Sequence, residues 1–261
     1  MNYLGTLYGV GAGPGATNLL TLRALEVLRE VAVLALPRGS DFGESMALRI
    51  VKPVLEPRAD QERLLLTFPM SKDPERVRPA VLRACSQIEA RLREGKSVAF
   101  VSEGDASTFS TFLYVRRELR ARIPELPVEV VPGVSSIMAV PAALGIGLAD
   151  GQERVAILSG TSGFDDLAEV LARFDTVVLM KVGPELPHII ETLRKLSLLE
   201  RAAYVSRATM EEQRIVRDLT QVQDQRGDCF AMIVVSRNER KGVLMGDVPS
   251  TPRPAAVEEA P

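Results

Sequence analysis

Histidine is almost absent from this chain, cysteine is scarce, and neither sign of charge dominates. His188 is the single imidazole, so multi-histidine metal sites are excluded and histidine-based catalytic triads are disfavoured. Cys85 and Cys229 stand far apart in sequence and match neither a disulfide framework nor a metal-ligand pair, which points to a reducing, cytoplasmic setting. Lysine plus arginine number 32 against 34 acidic residues, a formal charge of −2. With the signs well mixed, neither a nucleic-acid coat nor a polybasic membrane surface is expected, although a local basic pocket is compatible with the total. No stretch approaches the roughly 20 apolar residues of a membrane span. The opening MNYLGTLYGVG lacks the basic and long apolar regions of a signal peptide.

What is present is the composition of a soluble globular protein, 46% hydrophobic and 25% charged, with 261 residues giving room for two ordinary α/β domains or one large one. Apolar runs of strand length alternate with amphipathic stretches. Strands are expected at Leu4–Val10, Val31–Leu36, Arg63–Phe68, Ser97–Ser102 and Val128–Val131. Helices are expected at Leu19–Glu30, Ser45–Val51, Pro74–Glu94 (closed by Gly95) and Phe109–Arg122. Each β-α-β step implies a crossover and parallel strands. The apolar pattern breaks at Ala149–Glu153, which marks a domain junction and gives ranges 1–148 and 149–247, followed by a flexible tail, 248–261. The second series reads as strand Arg154–Leu158, helix Phe164–Arg173, strand Thr176–Met180, helix Pro187–Leu196, strand Ala202–Ser206, an exposed hairpin at Thr209–Leu219, and strand Phe230–Val235.

Three small-residue loops follow apolar strands: YGVGAGPGA (Tyr8–Ala16), GDASTFST (Gly104–Thr111) and VVPGVSS (Val130–Ser136). Open α/β sheets bind ligands at the carboxyl ends of their strands. The first loop matches a loose dinucleotide fingerprint, Gly11-x-Gly13-x-x-Ala16. A nicotinamide site also needs an acidic residue about 20 positions on, where LALPR (Leu34–Arg38) offers none, and Pro14 removes one amide from the turn. The other reading is a tight turn that keeps a cleft floor bare of side chains, as a large flat ligand requires. Asp105, Ser107, Thr108, Ser110 and Thr111 crowd the second loop. Helix capping uses one such residue, so five suggest ligand contacts as well. Ser135 and Ser136 stand at another helix start, where capping and ligand binding are both open.

The set GAGPG (Gly11–Gly15), GDASTFST, VVPGVSS, VVLMKVG (Val177–Gly183) and SRATMEEQRIV (Ser206–Val216) resembles, in order and spacing, the tetrapyrrole methylases. The likeness runs from Tyr8 to about Arg237. Within that group it is most similar to the precorrin-2 or cobalt-factor II C-20 methyltransferases, through the insert Pro37–Ile50, the triplet Leu179–Lys181 and the ending FAMIVVSR. The resemblance implies two α/β domains with a ligand cleft between them, S-adenosylmethionine as methyl donor leaving as S-adenosylhomocysteine, and a role in cobalamin biosynthesis. It places the tetrapyrrole on the N-terminal side of the cleft, with the C-terminal domain completing the donor site. It assigns Pro14, Glu103, Gly104, Asp105 and Thr108 to the donor, with Ser135 and Ser136 at its far end. Met180 and Ala208 pack the adenine, and Lys181 and Thr209 adjoin them.

For the tetrapyrrole, with or without cobalt, the implied contacts are the Gly11 and Gly13 floor, with Arg38 and Arg49 (and Lys52) for its carboxylates. A charged helix face in water is the competing reading for each cation. Methyl transfer to a ring carbon is an in-line displacement that needs alignment rather than a metal or a covalent intermediate, so no protein-bound metal is expected. The carbon must then lose a proton, and Asp105 at a strand end is the candidate base, with Tyr114 second. A homodimer is expected, with no nucleic-acid or membrane partner. His188 reads as a capping or surface residue. The alternatives are a methylase of the same family acting at another ring position, a nicotinamide oxidoreductase, and a binding protein that has lost catalysis.

Overall fold

The computed structural model describes residues 3–71, 73–160, 163–222 and 227–237. The expected tail at 248–261 lies outside them. The chain forms two compact units, 1–136 and 137–261.

The first unit is built on five strands: β1 (Leu7–Gly11), β2 (Val33–Arg38), β3 (Glu62–Thr67), β4 (Val98–Ser102) and β5 (Val128–Val131). They lie in the order β3-β2-β4-β1-β5, and every pair is parallel. Strands covered on both faces are apolar at consecutive positions, because successive side chains point to opposite sides. In β2, Val33 and Ala35 join one core and Leu34 and Leu36 the other. Helices α1 (Leu22–Glu30) and α2 (Met46–Val51) cover the Leu34 face through Val27, Leu28, Ile50 and Val51. Helices α3 (Pro74–Arg93) and α4 (Phe112–Arg122) cover the Val33 face through Ala84, Ile88, Phe112 and Val115.

In this unit α1 and α4 start three residues later than the periodicity suggests, and a hydroxyl group stands at each start. Thr21 accepts the Ala24 amide at 3.2 Å, so α1 begins at Leu22, and the Leu19–Leu20 pair belongs to a separate short turn. Ser110 accepts the Phe112 amide at 3.1 Å, and Phe109 is left-handed at φ 50°, so α4 begins at Phe112 rather than Phe109.

The second unit contains α5 (Ser136–Leu144), which begins at the division, then β6 (Val155–Ser159), α6 (Leu167–Arg173), β7 (Thr176–Met180), α7 (Leu186–Lys195), β8 (Ala202–Ser206), β9 (Arg214–Val216) and β10 (Ala231–Ser236). Its sheet runs β6-β7-β10-β8-β9. Only β6 and β7, joined through α6, are parallel; β10 is antiparallel to both β7 and β8. A parallel return needs a long crossover, usually a helix, whereas the path from β8 to β10 contains the short strand β9 and no α-helix among the described residues. The hairpin expected at 209–219 begins earlier: its arms are β8 and β9, with Tyr204 opposite Val216. The units divide before the Ala149–Glu153 break, because α5 packs Ile137, Val140 and Leu144 on Val178, Val205 and Val234 of the second sheet. Helices α6 and α7 cover the other face through Leu171, Ile189 and Leu193. No helix among the described residues is long and apolar enough to cross a membrane.

Two close-packed points generate predictions. A Cβ on Gly9 would lie 2.2–2.6 Å from three ring atoms of the buried Phe112. Gly9→Ala should therefore lower unfolding free energy by about 1–3 kcal/mol in a urea titration, the usual cost of overpacking; unchanged stability would contradict this packing. Burial pushes the Cys85 thiol up to about 12, whereas Cys229 is exposed. A thiol reagent at about pH 8 should label one cysteine in the native protein and the second only after denaturation; labelling of both in the native protein would be inconsistent with this core.

Candidate functional site

Because β4, β1 and β5 are parallel neighbours, their carboxyl ends lie side by side, with Gly11 opposite Ser102 and Val10 opposite Val131. The three small-residue loops therefore meet along one edge of the first sheet. The Gly13 amide donates to the Gly104 carbonyl at 3.1 Å, and the Gly104 amide donates back to Gly13 at 2.7 Å. The Ala12 amide donates to the Ser102 carbonyl at 2.8 Å. A Cβ on Gly11 would fall 2.6 Å from the Gly133 nitrogen and 2.8 Å from the Gly104 oxygen. On Gly133 it would fall 2.3 Å from the same Gly104 oxygen. Backbone thus touches backbone across all three loops, and the floor at positions 11 and 133 has no room for a side chain. Gly104, at φ 65°, differs: its missing Cβ would meet nothing nearer than 3.9 Å.

Asp105 fastens this arrangement. Its Oδ1 accepts the Ser107 amide at 2.8 Å and its Oδ2 accepts the Gly133 amide at 2.9 Å, so one carboxylate ties the loop after β4 to the loop after β5. Ser110 is likewise occupied, sharing a hydrogen bond with Ser102 at 2.8 Å and accepting the Phe112 amide at 3.1 Å. The half-buried Thr108 hydroxyl has no hydrogen-bond partner among the described residues and is available to a ligand. Pro14, Ser135 and Ser136 are half-buried on the loops after β1 and β5, and Glu103 is exposed. Tyr114 is 55% exposed on the first turn of α4. Arg38 ends β2 at the same sheet edge. Its Nε donates to the Thr67 hydroxyl at 3.1 Å, and its Nη2 stands 3.5 Å from Asp41. Arg49 and Lys52 are exposed on and just after α2.

In the second unit, the residues that the resemblance assigns to the donor also gather at one sheet edge. Met180 ends β7 opposite Met232, and Ser206 ends β8 opposite Ala231, so both strand ends flank the start of β10. Just beyond them, Lys181, Arg207 and Thr209 are left-handed, with φ of 55°, 50° and 68°. None is glycine, and three such strained residues at one edge are what binding sites retain. The turn is held by its own contacts: Arg207 Nε donates to Asp228 at 2.6 Å and the Thr209 amide donates to Gln213 at 2.7 Å. A Cβ on Gly160 would fall 2.6 Å from the Lys181 carbonyl, so the loops after β6 and β7 also touch. Ala208 is buried and Met180 is half-buried against the α5 core, while Lys181 is exposed. No residue type in the sequence signals this strain. His188 is exposed, its Nε2 3.3 Å from the Phe164 carbonyl, and serves the surface. No group of three or more His, Cys, Asp or Glu that could hold a metal ion occurs among the described residues.

The sequence profile of the Tetrapyrrole (Corrin/Porphyrin) Methylases matches residues 6–222, which include the loops that follow β1, β4, β5, β7 and β8. The chain belongs to that family. Among individual relatives, this tetrapyrrole methylase is 34% identical over 234 residues to the cobalt-precorrin-2 C(20)-methyltransferase of Salmonella typhimurium, an alignment covering 89% of this chain and 97% of the relative. It is 30% identical over 241 residues to the precorrin-2 C(20)-methyltransferase of a Sinorhizobium species, covering 89% and 95%. Its fold matches the uroporphyrin-III C-methyltransferase of Thermus thermophilus complexed with S-adenosyl homocysteine, with a TM-score of 0.61 and 24% identity over 89% of this chain and 97% of that one.

The double acceptor role of Asp105 is open to direct measurement. Asp105→Ala leaves the Ser107 and Gly133 amides without their partner and should cost about 1–3 kcal/mol of stability. Asp105→Asn keeps one acceptor oxygen and should cost less. Equal, negligible losses in both variants by urea titration would show that the carboxylate does not hold the loops.

Proposed function

We propose that this methylase transfers a methyl group from S-adenosylmethionine to C-20 of precorrin-2 or its cobalt form in cobalamin biosynthesis. The observation that carries the reading is that the likeness to C-20 methyltransferases covers 89% of the chain. The fit of ligand to site rests on the floor, where the closeness of Gly11, Gly104 and Gly133 leaves bare backbone for a large flat molecule.

When bound, S-adenosylmethionine supplies an electrophilic methyl on sulfonium sulfur and leaves as S-adenosylhomocysteine. The protein's part is placement, which can account for much of a rate enhancement. Pro14, the backbone of Glu103–Asp105 and the free Thr108 hydroxyl hold the donor, with Ser135 and Ser136 at its far end. Met180 and Ala208, flanked by Lys181 and Thr209, receive the adenine; the strained backbone at that edge supports the assignment. The Gly11 and Gly13 floor carries the tetrapyrrole ring, and Arg38 and Arg49 serve its carboxylates. Asp105 is the candidate acceptor of the ring proton, or the partner of a pyrrole N–H, through lone pairs left after Ser107 and Gly133 are served. The N-terminal unit carries the tetrapyrrole and the C-terminal unit contributes to the donor. The enzyme works in the cytoplasm, where its unpaired cysteines are stable, and as a homodimer, the commonest symmetric assembly.

Mass spectrometry of the tetrapyrrole after incubation with S-adenosylmethionine, using metal-free precorrin-2 and its cobalt form in parallel, tests this reading. One added methyl, located at C-20 by a 13C label, is the expected result, and the form that accepts it identifies the natural substrate. A methyl at another ring carbon would reassign the reaction within the family. No gain on either form, with donor binding intact, would refute it.

A further inference from the structure

Beyond the glycine floor, the same edge of the first sheet carries apolar side chains with no partner. Strands β3, β2 and β4 are neighbours, and the segment after each exposes one large apolar residue. Met70 follows β3 and is 82% exposed, Phe42 follows β2 and is fully exposed, and Phe109 follows β4 and is 46% exposed. Phe109 keeps this position at the cost of a left-handed backbone, φ 50°. Exposed apolar groups gathered at one rim mark interaction sites more often than isolated ones do.

The rim is a fastened structure. The Thr67 hydroxyl donates to Asp41 Oδ1 at 2.6 Å while accepting from Arg38 Nε at 3.1 Å, which ties the segment after β3 to the loop after β2. The Phe68 amide donates to the Arg38 carbonyl at 2.9 Å. Gly39 packs so closely on Met70 that a Cβ would lie 3.3 Å from its Cγ. Ser45, buried at the loop's far end, accepts the Leu48 amide and closes it onto α2. In this frame Arg38 uses Nε for Thr67 and Nη2 for a long contact with the mostly exposed Asp41, while Nη1 has no partner among the described residues. A guanidinium already oriented by two contacts loses little freedom on taking a carboxylate.

We propose that Met70, Phe42 and Phe109 form an apolar lip that lies against the face of a flat macrocycle, and that Arg38 Nη1 takes one of its peripheral carboxylates. The occupant is thus a planar polycarboxylate with an apolar face; an extended nucleotide or an acidic peptide would leave the three apolar groups uncovered. The inference rests on the C-20 methyltransferase reading for the identity of the substrate, but the lip itself is set by residues that reading does not use, Arg38 excepted.

The test measures two ligands separately on the full-length protein. The double variant Phe42→Ala/Met70→Ala changes only exposed side chains, so folding is retained. It should raise the KM for the tetrapyrrole about tenfold, a range set by lost aromatic and apolar contact. The dissociation constant for S-adenosylhomocysteine and kcat should change less than about twofold. Arg38→Gln should raise the same KM and flatten its dependence on salt. Binding of uroporphyrin, a stable flat polycarboxylate, followed by fluorescence, gives a second readout that needs no turnover. If precorrin-2 is methylated but neither its KM nor uroporphyrin affinity responds to the variants, or if donor affinity falls in step, the lip is refuted and the C-20 reading stands. If uroporphyrin binding depends on the lip but precorrin-2 is not methylated, the lip stands and the C-20 reading falls. A protein that binds neither tetrapyrrole overturns both.

Discussion

The site in the first unit depends on backbone reaching backbone where three parallel strands end. The 2.3 Å that would separate a Cβ on Gly133 from the Gly104 carbonyl is far inside van der Waals contact, so glycine at that position is a steric requirement. The strand order makes this possible: β4, β1 and β5 adjoin, and their following loops have nowhere to go but against one another. Asp105 then converts proximity into a fixed shape by holding one amide from each of two loops. The result is a surface with polar backbone edges and no side chains at its centre. Apolar groups stand further along the same edge, at the ends of β3, β2 and β4.

The second unit reaches a comparable end differently. The residues at its sheet edge are not glycines, and the strain at Lys181, Arg207 and Thr209 is retained by local bonds, above all the Arg207–Asp228 pair. Strain of this sort costs of order 1–3 kcal/mol per residue, which the packed core around Val205 and Met232 must offset. One sheet edge therefore makes room by removing side chains, and the other presents backbone by bending it.

Much of this was legible in the sequence, for identifiable reasons. Strands buried on both faces, such as Val33–Leu36, stand out as unbroken apolar runs, and the Pro74 start and Gly95 stop frame α3 without ambiguity. The carboxyl-edge loops were legible because glycines and hydroxyls cluster there. The true starts of α1 and α4 are not legible because a single hydroxyl, Thr21 or Ser110, stands where the first turn forms. The direction of β10 was hidden because it depends on whether a helix or a short strand precedes it. The strained turn at Arg207 was invisible, since no residue there favours positive φ. Asp105 stands out in the sequence as a carboxylate at a strand end, but its hold on Gly133 depends on a contact between residues distant in sequence.

In the proposed function, the contact between the three loops shapes the site for the methyl donor. Calorimetric titration of S-adenosylhomocysteine into wild type and Gly133→Ala, with cooperative unfolding checked on each, tests it most directly. Binding by wild type and a loss of at least about tenfold in a variant that still folds is the expected result. Equal affinity in both proteins would show that the donor does not depend on the glycine floor.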